Sequence, residues 1–391
     1  GNHVNNLNHL DLITMNLQYR ELLVHVGRGD HVTCTGVLTS ASAYLSAAVN
    51  NDCQRPVLLL VDTEYRALQV YNELTGWVGD RIVVLHLPGI ELSNLDPLIT
   101  PDKSMAHHRI GTLSSILYNV DDTNTVIVAS ITAMAQRTIT VQQYQAITRQ
   151  IAIGQTVDPI ELARSCESMG YQNEPLTEDK GAYSRRGGIF DIFPPTADSP
   201  FRVEFIGNMI ESIRMFDPVT QKSFDATNRV LITPAMEMLP SSVNHRYRQP
   251  LGKELDTTDC DDVFMRNIHE DINLMMTGHT LKNNGNYAGI FCNGSPIDFL
   301  PDNTLLIREK QSQIQEQSDY VDATNLKTLN AYVDKHELPH NFPLVHQSCV
   351  RIFNSLLHSF QTIDIEPWTS SQNNAPHEIS LHLDFLPPNT Y

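Results

Sequence analysis

Cationic charge is scarce in this chain of 391 residues: 27 lysines and arginines stand against 45 acidic residues, a formal net charge of −18. That balance repels a phosphate backbone, so duplex DNA is not the default partner of the chain as a whole. Paired cysteines are missing too. Cys34, Cys53, Cys166, Cys260, Cys292 and Cys349 are scattered without a C-x-x-C, which excludes a zinc ribbon and a vicinal redox pair and fits a reducing, cytoplasmic setting. No apolar run reaches the roughly 18 residues that cross a bilayer, and no basic start with an apolar core marks a signal peptide. No membrane association is expected. The length implies about two or three domains.

The familiar short motifs of catalysis are incomplete. HEDINLMMTGH (269–279) opens like a zinc-protease helix, but the position four after His269 is Asn273, so the second ligand fails. His107 and His108 are adjacent and cannot share a helical face; they read as surface residues. GRG at 27–29 lacks the third glycine of a dinucleotide loop and reads as a plain loop. No catalytic residue, metal ligand or cofactor is expected.

What the sequence does contain is α/β texture. Leu10, Ile13, Leu17, Leu22 and Leu23 in LDLITMNLQYRELLV predict an amphipathic opening helix over 10–24. PVLLLVD (56–62), RIVVLHL (81–87) and NTVIVAS (124–130) are short apolar runs separated by helix-like stretches, the pattern of a parallel sheet buried on both faces. A second unit begins near 148: VDPIELARSCESMGY offers Asp158 as N-cap, Pro159 at the first helical position, Glu161 three residues after the cap and Gly170 as the stop. The period then becomes two. In FRVEFIGNMIESIRMF, Phe201, Val203 and Phe205 share one face, Arg202, Glu204 and Ile206 share the other, and Gly207-Asn208 makes the turn. From about 240 the chain is polar and irregular, with acidic 256–262 and asparagine-rich 282–287, until strand-like NTLLIRE (303–309) restores the α/β pattern.

GAYSRRGGIFDIFPPTADSPFRVEFIGNMIESIRMFD (181–217), together with VIVASITAMAQR and PGIELSNLDPLITPDKSMAHHRIGTL upstream, resembles the segment shared by the bacterial transcription-repair coupling factors (Mfd) and the excision-repair protein UvrB. The resemblance covers 30–240 well and 290–360 weakly. UvrB carries a phosphate-binding loop with a lysine; the corresponding CTGVLTSASAYLSAAV (34–49) has none, so the point charge that holds the terminal phosphates is gone. LLIRE places Arg308 before Glu309 where an acidic pair would follow a strand, and ITAMAQRTITVQQYQ, with Tyr144 as its one tyrosine, is too short for UvrB's tyrosine-rich hairpin. The missing lysine and the short hairpin segment point to the coupling factors rather than to UvrB.

The resemblance implies a degenerate RecA/helicase-like parallel-sheet domain (1–147 and 241–365) interrupted by a smaller α+β UvrA-binding domain (148–240), with a linker or tail at 366–391. It implies an adaptor that recruits UvrA in transcription-coupled nucleotide excision repair without hydrolysing ATP; the alternative is a UvrB-like ATP-dependent damage-verification helicase subunit. RNA polymerase and DNA would be reached through other parts of a longer protein. The docking residues carry over to Arg186, Arg202 and Ile206, with Arg185 and Glu204 secondary. The residues alone also allow that Arg202 lies on a solvated face, that Arg185 and Arg186 serve a turn, and that Glu204 makes a cross-strand ion pair. If Arg186 and Arg202 are exposed around Ile206, replacing either by alanine weakens UvrA binding and changes stability little.

Overall fold

Runs rich in leucine and valine with no polar alternation bury both faces of a strand. The computed structural model, which describes residues 13–90, 103–119, 124–240, 255–279, 281, 284–368 and 377–381, gathers them into one seven-stranded parallel sheet. Numbered along the chain, its strands are β1 (Val32–Thr35), β2 (Val57–Val61), β3 (Val83–Leu87), β4 (Thr125–Ser130), β13 (Leu305–Glu309), β14 (Gln361–Ile365) and β15 (Glu378–Ser380). They lie in the order β15-β1-β14-β13-β2-β4-β3. Val57, Leu59 and Val61 pack with the helices Leu17–Gly27, Ser42–Cys53 and Glu64–Trp77 on one side. Leu58 and Leu60 pack with Lys103–Asn119, Gln311–Asp334 and Cys349–Ser359 on the other.

The opening helix differs from expectation. Asn16 accepts a hydrogen bond from the Tyr19 amide at 3.0 Å and starts a helix at Leu17, after a separate 3₁₀ turn over Ile13–Met15. Ile13 and Leu22 are core residues as the spacing suggests, whereas Leu17, at the first helical position, is 72% exposed. Leu10 lies outside the described residues, as do 91–102 of the PGIEL segment, 282–283, and the tail beyond 381.

The chain leaves this body through β5 (Arg149–Ala152) and returns through β12 (Arg229–Ile232), which pair antiparallel. Adjacent entry and exit strands let the intervening segment fold on its own core. That segment holds the helix Pro159–Ser168 and a second sheet of β6 (Gln172–Asn173), β7 (Ala182–Arg186), β8 (Ile189–Ile192), β9 (Phe201–Ile206), β10 (Met209–Phe216) and β11 (Ser223–Thr227), in the order β11-β10-β9-β8-β7-β6. Asp158 caps the helix by accepting from the Ile160 amide at 2.9 Å, and Gly170 ends it at φ +90°. Glu161 does not close a capping box; it takes Arg149 of β5 at 3.1 and 3.2 Å instead. Leu162, Cys166 and Met169 pack on Phe190, Val203 and Ile213.

The polar stretch after 240 contains more order than its composition suggests. Met265, Ile268, Ile272 and Met275 line one face of the helix Asp262–Met276 and pack with Tyr287, Leu329 and Phe342. His269 faces solvent on that helix. Arg109 ties the inserted unit's exit to the main body: its guanidinium donates to Glu237 at 2.9 Å and to the carbonyls of Pro88, Ala133 and Gln136 at 2.8, 2.9 and 3.0 Å. Among the described residues no helix is long and apolar enough to cross a membrane.

Candidate docking site

Alternation fixes which side chains reach the outer face of the six-stranded sheet. Phe190 and Val203 face each other toward the core, so their neighbours Asp191 and Arg202, also in register, face outward. One row across the sheet runs Ser184, Asp191, Arg202, Arg214, and the next runs Arg186, Ile189, Glu204, Ser212. Gly207 supplies the positive φ of +59° that the tight β9–β10 turn needs. Ile206 stands at that turn, 57% exposed.

Arg202 is not the exposed anchor that strand alternation suggests. Its side chain is only 15% exposed and its guanidinium grips Asp191 bidentately, Nε to Oδ1 at 2.9 Å and Nη2 to Oδ2 at 2.8 Å. It also donates to the Gln221 carbonyl at 3.1 Å and lies over the Phe216 ring at 4.4 Å. The hydrogen bond to Asp191 raises the Arg202 pKa above its ordinary value, so the charge is permanent. Asp191 is the hub of the face, with a side chain 1% exposed. A second cation approaches it: Arg186 Nη2 is 3.7 Å from Asp191 Oδ2 while the Arg186 side chain is 53% exposed.

The remaining candidates separate. Arg185 lies opposite Phe190 in register, on the other face from Arg186, and is exposed where the sheet ends. Glu204 is half-buried between Ile189 and Ser212; neither is charged, so no cross-strand ion pair forms there. The outer face therefore brings Arg186, Arg202, Glu204 and Ile206 together and leaves Arg185 out. Asp191 was missed by sequence reasoning. Its signal was an acid in the middle of an apolar strand, GGIFDIF, which a buried carboxylate occupies only with a partner.

The corner after β1, where the resemblance to UvrB would put a phosphate-binding loop, is bridged by internal contacts. β1 leads through Gly36 and a 3₁₀ turn at Thr39–Ala41 into the helix Ser42–Cys53, whose first residues are buried. Arg66 crosses this corner, donating to the Thr39 carbonyl at 2.9 Å and to both oxygens of Glu309 at 2.7 and 2.9 Å. Arg308, one residue earlier on β13, pairs bidentately with Asp364 on β14 at 2.6 and 2.8 Å and lies 4.9 Å from the centre of the Phe353 ring. Both carboxylates at the strand ends are thus engaged by arginine. Tyr144 is core: fully buried, it donates to Ser114 and packs edge-on against Phe299. His107 is half-buried against Gly181, and His108 is exposed.

Residues 150–238 match the UvrB interaction domain. The transcription-repair-coupling factor of Bacillus subtilis is 24% identical over 319 residues, 79% of this chain and 27% of the relative. That of Myxococcus xanthus is 31% identical over 226 residues, 56% of this chain and 19% of the relative. The chain is thus similar to transcription-repair-coupling factors over much of its length and carries a match to the UvrB interaction domain at 150–238. The UvrABC system protein B of Francisella tularensis is related as well, 24% identical over 311 residues, 71% of this chain and 45% of the relative. The chain therefore spans about a fifth to a quarter of the coupling factors it matches and less than half of that UvrABC system protein B. Within it the UvrB interaction domain coincides with the inserted unit from β5 to β12, and its outer face carries the Asp191 hub.

Proposed function

We propose that this region is an adaptor of transcription-coupled nucleotide excision repair, recruiting UvrA through the outer face of its UvrB interaction domain and hydrolysing no ATP itself. The observation that carries the reading is Arg186, held over the buried Asp191 carboxylate with half of its side chain in solvent. Arg202 neutralises Asp191 and fixes it; Arg186 remains available for a partner's carboxylate. Guanidinium geometry suits bidentate pairing of that kind. The exposed Ile206 supplies apolar area nearby on a protein whose net charge is −18.

The test is titration of UvrA with variants. Arg186→Ala is expected to weaken binding by about 2 kcal/mol, roughly thirtyfold, while the thermal melt moves by no more than about 0.5 kcal/mol, as for other exposed substitutions. Arg186→Lys should recover part of the affinity, since a point charge lacks the fork. Unchanged UvrA affinity in Arg186→Ala removes this residue from the interface.

The rival reading, a UvrB-like ATPase, is disfavoured by the Arg66 bridge between Thr39 and Glu309. With no lysine at 34–49 and the acid on β13 already paired, Mg²⁺ and ATP are expected to leave the melting temperature unchanged, because a ligand that does not bind the native state cannot stabilise it. A concentration-dependent rise in the melt, or DNA-stimulated turnover, would favour the rival.

A further inference from the structure

We propose that His25, Asp30 and His377 form a binding site for a divalent first-row transition ion, zinc being the probe that tests it. The three residues come from separate parts of the fold. His25 is in the last turn of the helix Leu17–Gly27, Asp30 is in the loop before β1, and His377 immediately precedes β15. Their ligand atoms all lie within 4.8 Å of one another. His25 Nδ1 is 2.9 Å from Asp30 Oδ2, and His377 Nε2 is 3.9 Å from the same oxygen. The two imidazole rings stand 4.7 Å apart between centroids, tilted by 38°.

The spacing is informative. The His377–Asp30 separation of 3.9 Å is too long for a hydrogen bond. Ligands bound at about 2.0–2.2 Å from a tetrahedral centre are themselves roughly 3.3–3.6 Å apart, so small adjustments of all three side chains would seat one ion among them. Two imidazoles and a carboxylate suit zinc and its neighbours rather than magnesium or calcium, which require oxygen-rich shells. The outward nitrogen of His25, Nε2, faces Glu21 at 3.9 Å, the side on which a carboxylate orients a metal-bound imidazole. The three side chains are 17%, 27% and 37% exposed, so an ion can enter from solvent and retain a water.

Such a site has a structural consequence. β15 is the edge strand of the seven-stranded sheet, paired only with β1 among the described strands. An ion shared by His25, Asp30 and His377 fastens it to the first helix. Because a bound ion stabilises the state that assembles its ligands, β15 becomes harder to detach. The sequence offers no hint of this, since the ligands stand at opposite ends of the chain and match no short metal motif.

The experiment titrates zinc chloride into the intact chain and into His377→Ala and Asp30→Asn by calorimetry, with amide exchange at Ile379 and Leu381 followed in parallel. The wild type is expected to bind one equivalent tightly enough to survive dialysis, and each variant to bind at least tenfold more weakly. Zinc should slow exchange at Ile379 and Leu381 in the wild type alone. The metal-free melts of the variants report whether they fold; should His377→Ala not fold, His377→Gln, which keeps the side-chain bulk, takes its place. Equal zinc affinity in wild type and folded variants, binding with no change in exchange at β15, or no retained zinc in the wild type overturns the proposal.

Discussion

Arg202→Ala is expected to destabilise the protein by about 3–5 kcal/mol, the range seen when one partner of a buried ion pair is removed and the other is left behind. The carboxylate left behind is Asp191, with a side chain 1% exposed. It loses two hydrogen bonds from the guanidinium, and the Gln221 carbonyl loses its donor. Packing over Phe216 disappears as well. Arg186, 3.7 Å away, can swing in, which places the loss toward the lower end of the range. Urea denaturation measures it. The pair Arg202→Ala with Asp191→Asn should recover more than half of the loss, because the stranded charge is then absent, whereas Arg202→Lys should recover less, lacking the bidentate geometry.

This result would separate two roles that the motif alone merges. On the proposed reading Arg202 acts through Asp191 rather than on the partner, so weaker UvrA binding by Arg202→Ala is expected to track the melt. Arg186→Ala is expected to weaken binding with the melt nearly unchanged. A stable Arg202→Ala, within about 1 kcal/mol of wild type, would mean that Asp191 is not held as the geometry indicates and would return Arg202 to the exposed docking set.

Much of the fold is legible in the sequence for reasons that are local. PVLLLVD and NTVIVAS lie in the fully buried strands β2 and β4 because an uninterrupted apolar run has both faces to bury, and RIVVLHL pairs beside β4 as β3, although as the edge strand it leaves Val83 54% exposed. The β9 arm of the β9–β10 hairpin is equally local: period-two alternation up to Gly207-Asn208 fixes the turn and the faces of Arg202, Glu204 and Ile206, whereas on β10 a bulge between Ile210 and Ser212 breaks the alternation that the sequence suggests. What could not be read is how deeply an outward-facing residue is covered. Alternation places Arg202 opposite the core, but its shielding comes from Gln221 and Phe216, which pack around it from the far side of the hairpin. Asp191, eleven residues before Arg202, becomes its partner only through strand register. The Arg66–Glu309 pairing joins residues 243 apart, and LLIRE shows an arginine beside Glu309 without revealing what holds that carboxylate. Leu17 shows the converse error: helical spacing was extended through Asn16, and the cap interrupted it.

The largest single effect is expected at Arg109. This side chain is 1% exposed and serves four acceptors, the Glu237 carboxylate and three backbone carbonyls, from the helix Lys103–Asn119. Glu237 is the next-to-last residue of the UvrB interaction domain match, while Pro88, Ala133 and Gln136 belong to the loops and short helix at the ends of β3 and β4. One guanidinium therefore pins the exit of the inserted domain to the body of the parallel sheet. Alanine leaves an almost buried carboxylate without its cation and carbonyls without donors; either alone costs a few kcal/mol. Arg109→Ala is expected to lower stability by about 5 kcal/mol or more, enough to exhaust the stability of many natural domains. Arg109→Lys should fare only modestly better, because an ammonium cannot spread its donors over acceptors on both sides of a planar fork. Glu237→Gln combined with Arg109→Ala removes the stranded charge and leaves the carbonyls unsatisfied, so it should restore a minor part of the loss. Urea denaturation of the three variants measures these differences, and a folded Arg109→Ala within about 1 kcal/mol of wild type would show that the inserted domain is not anchored through this residue.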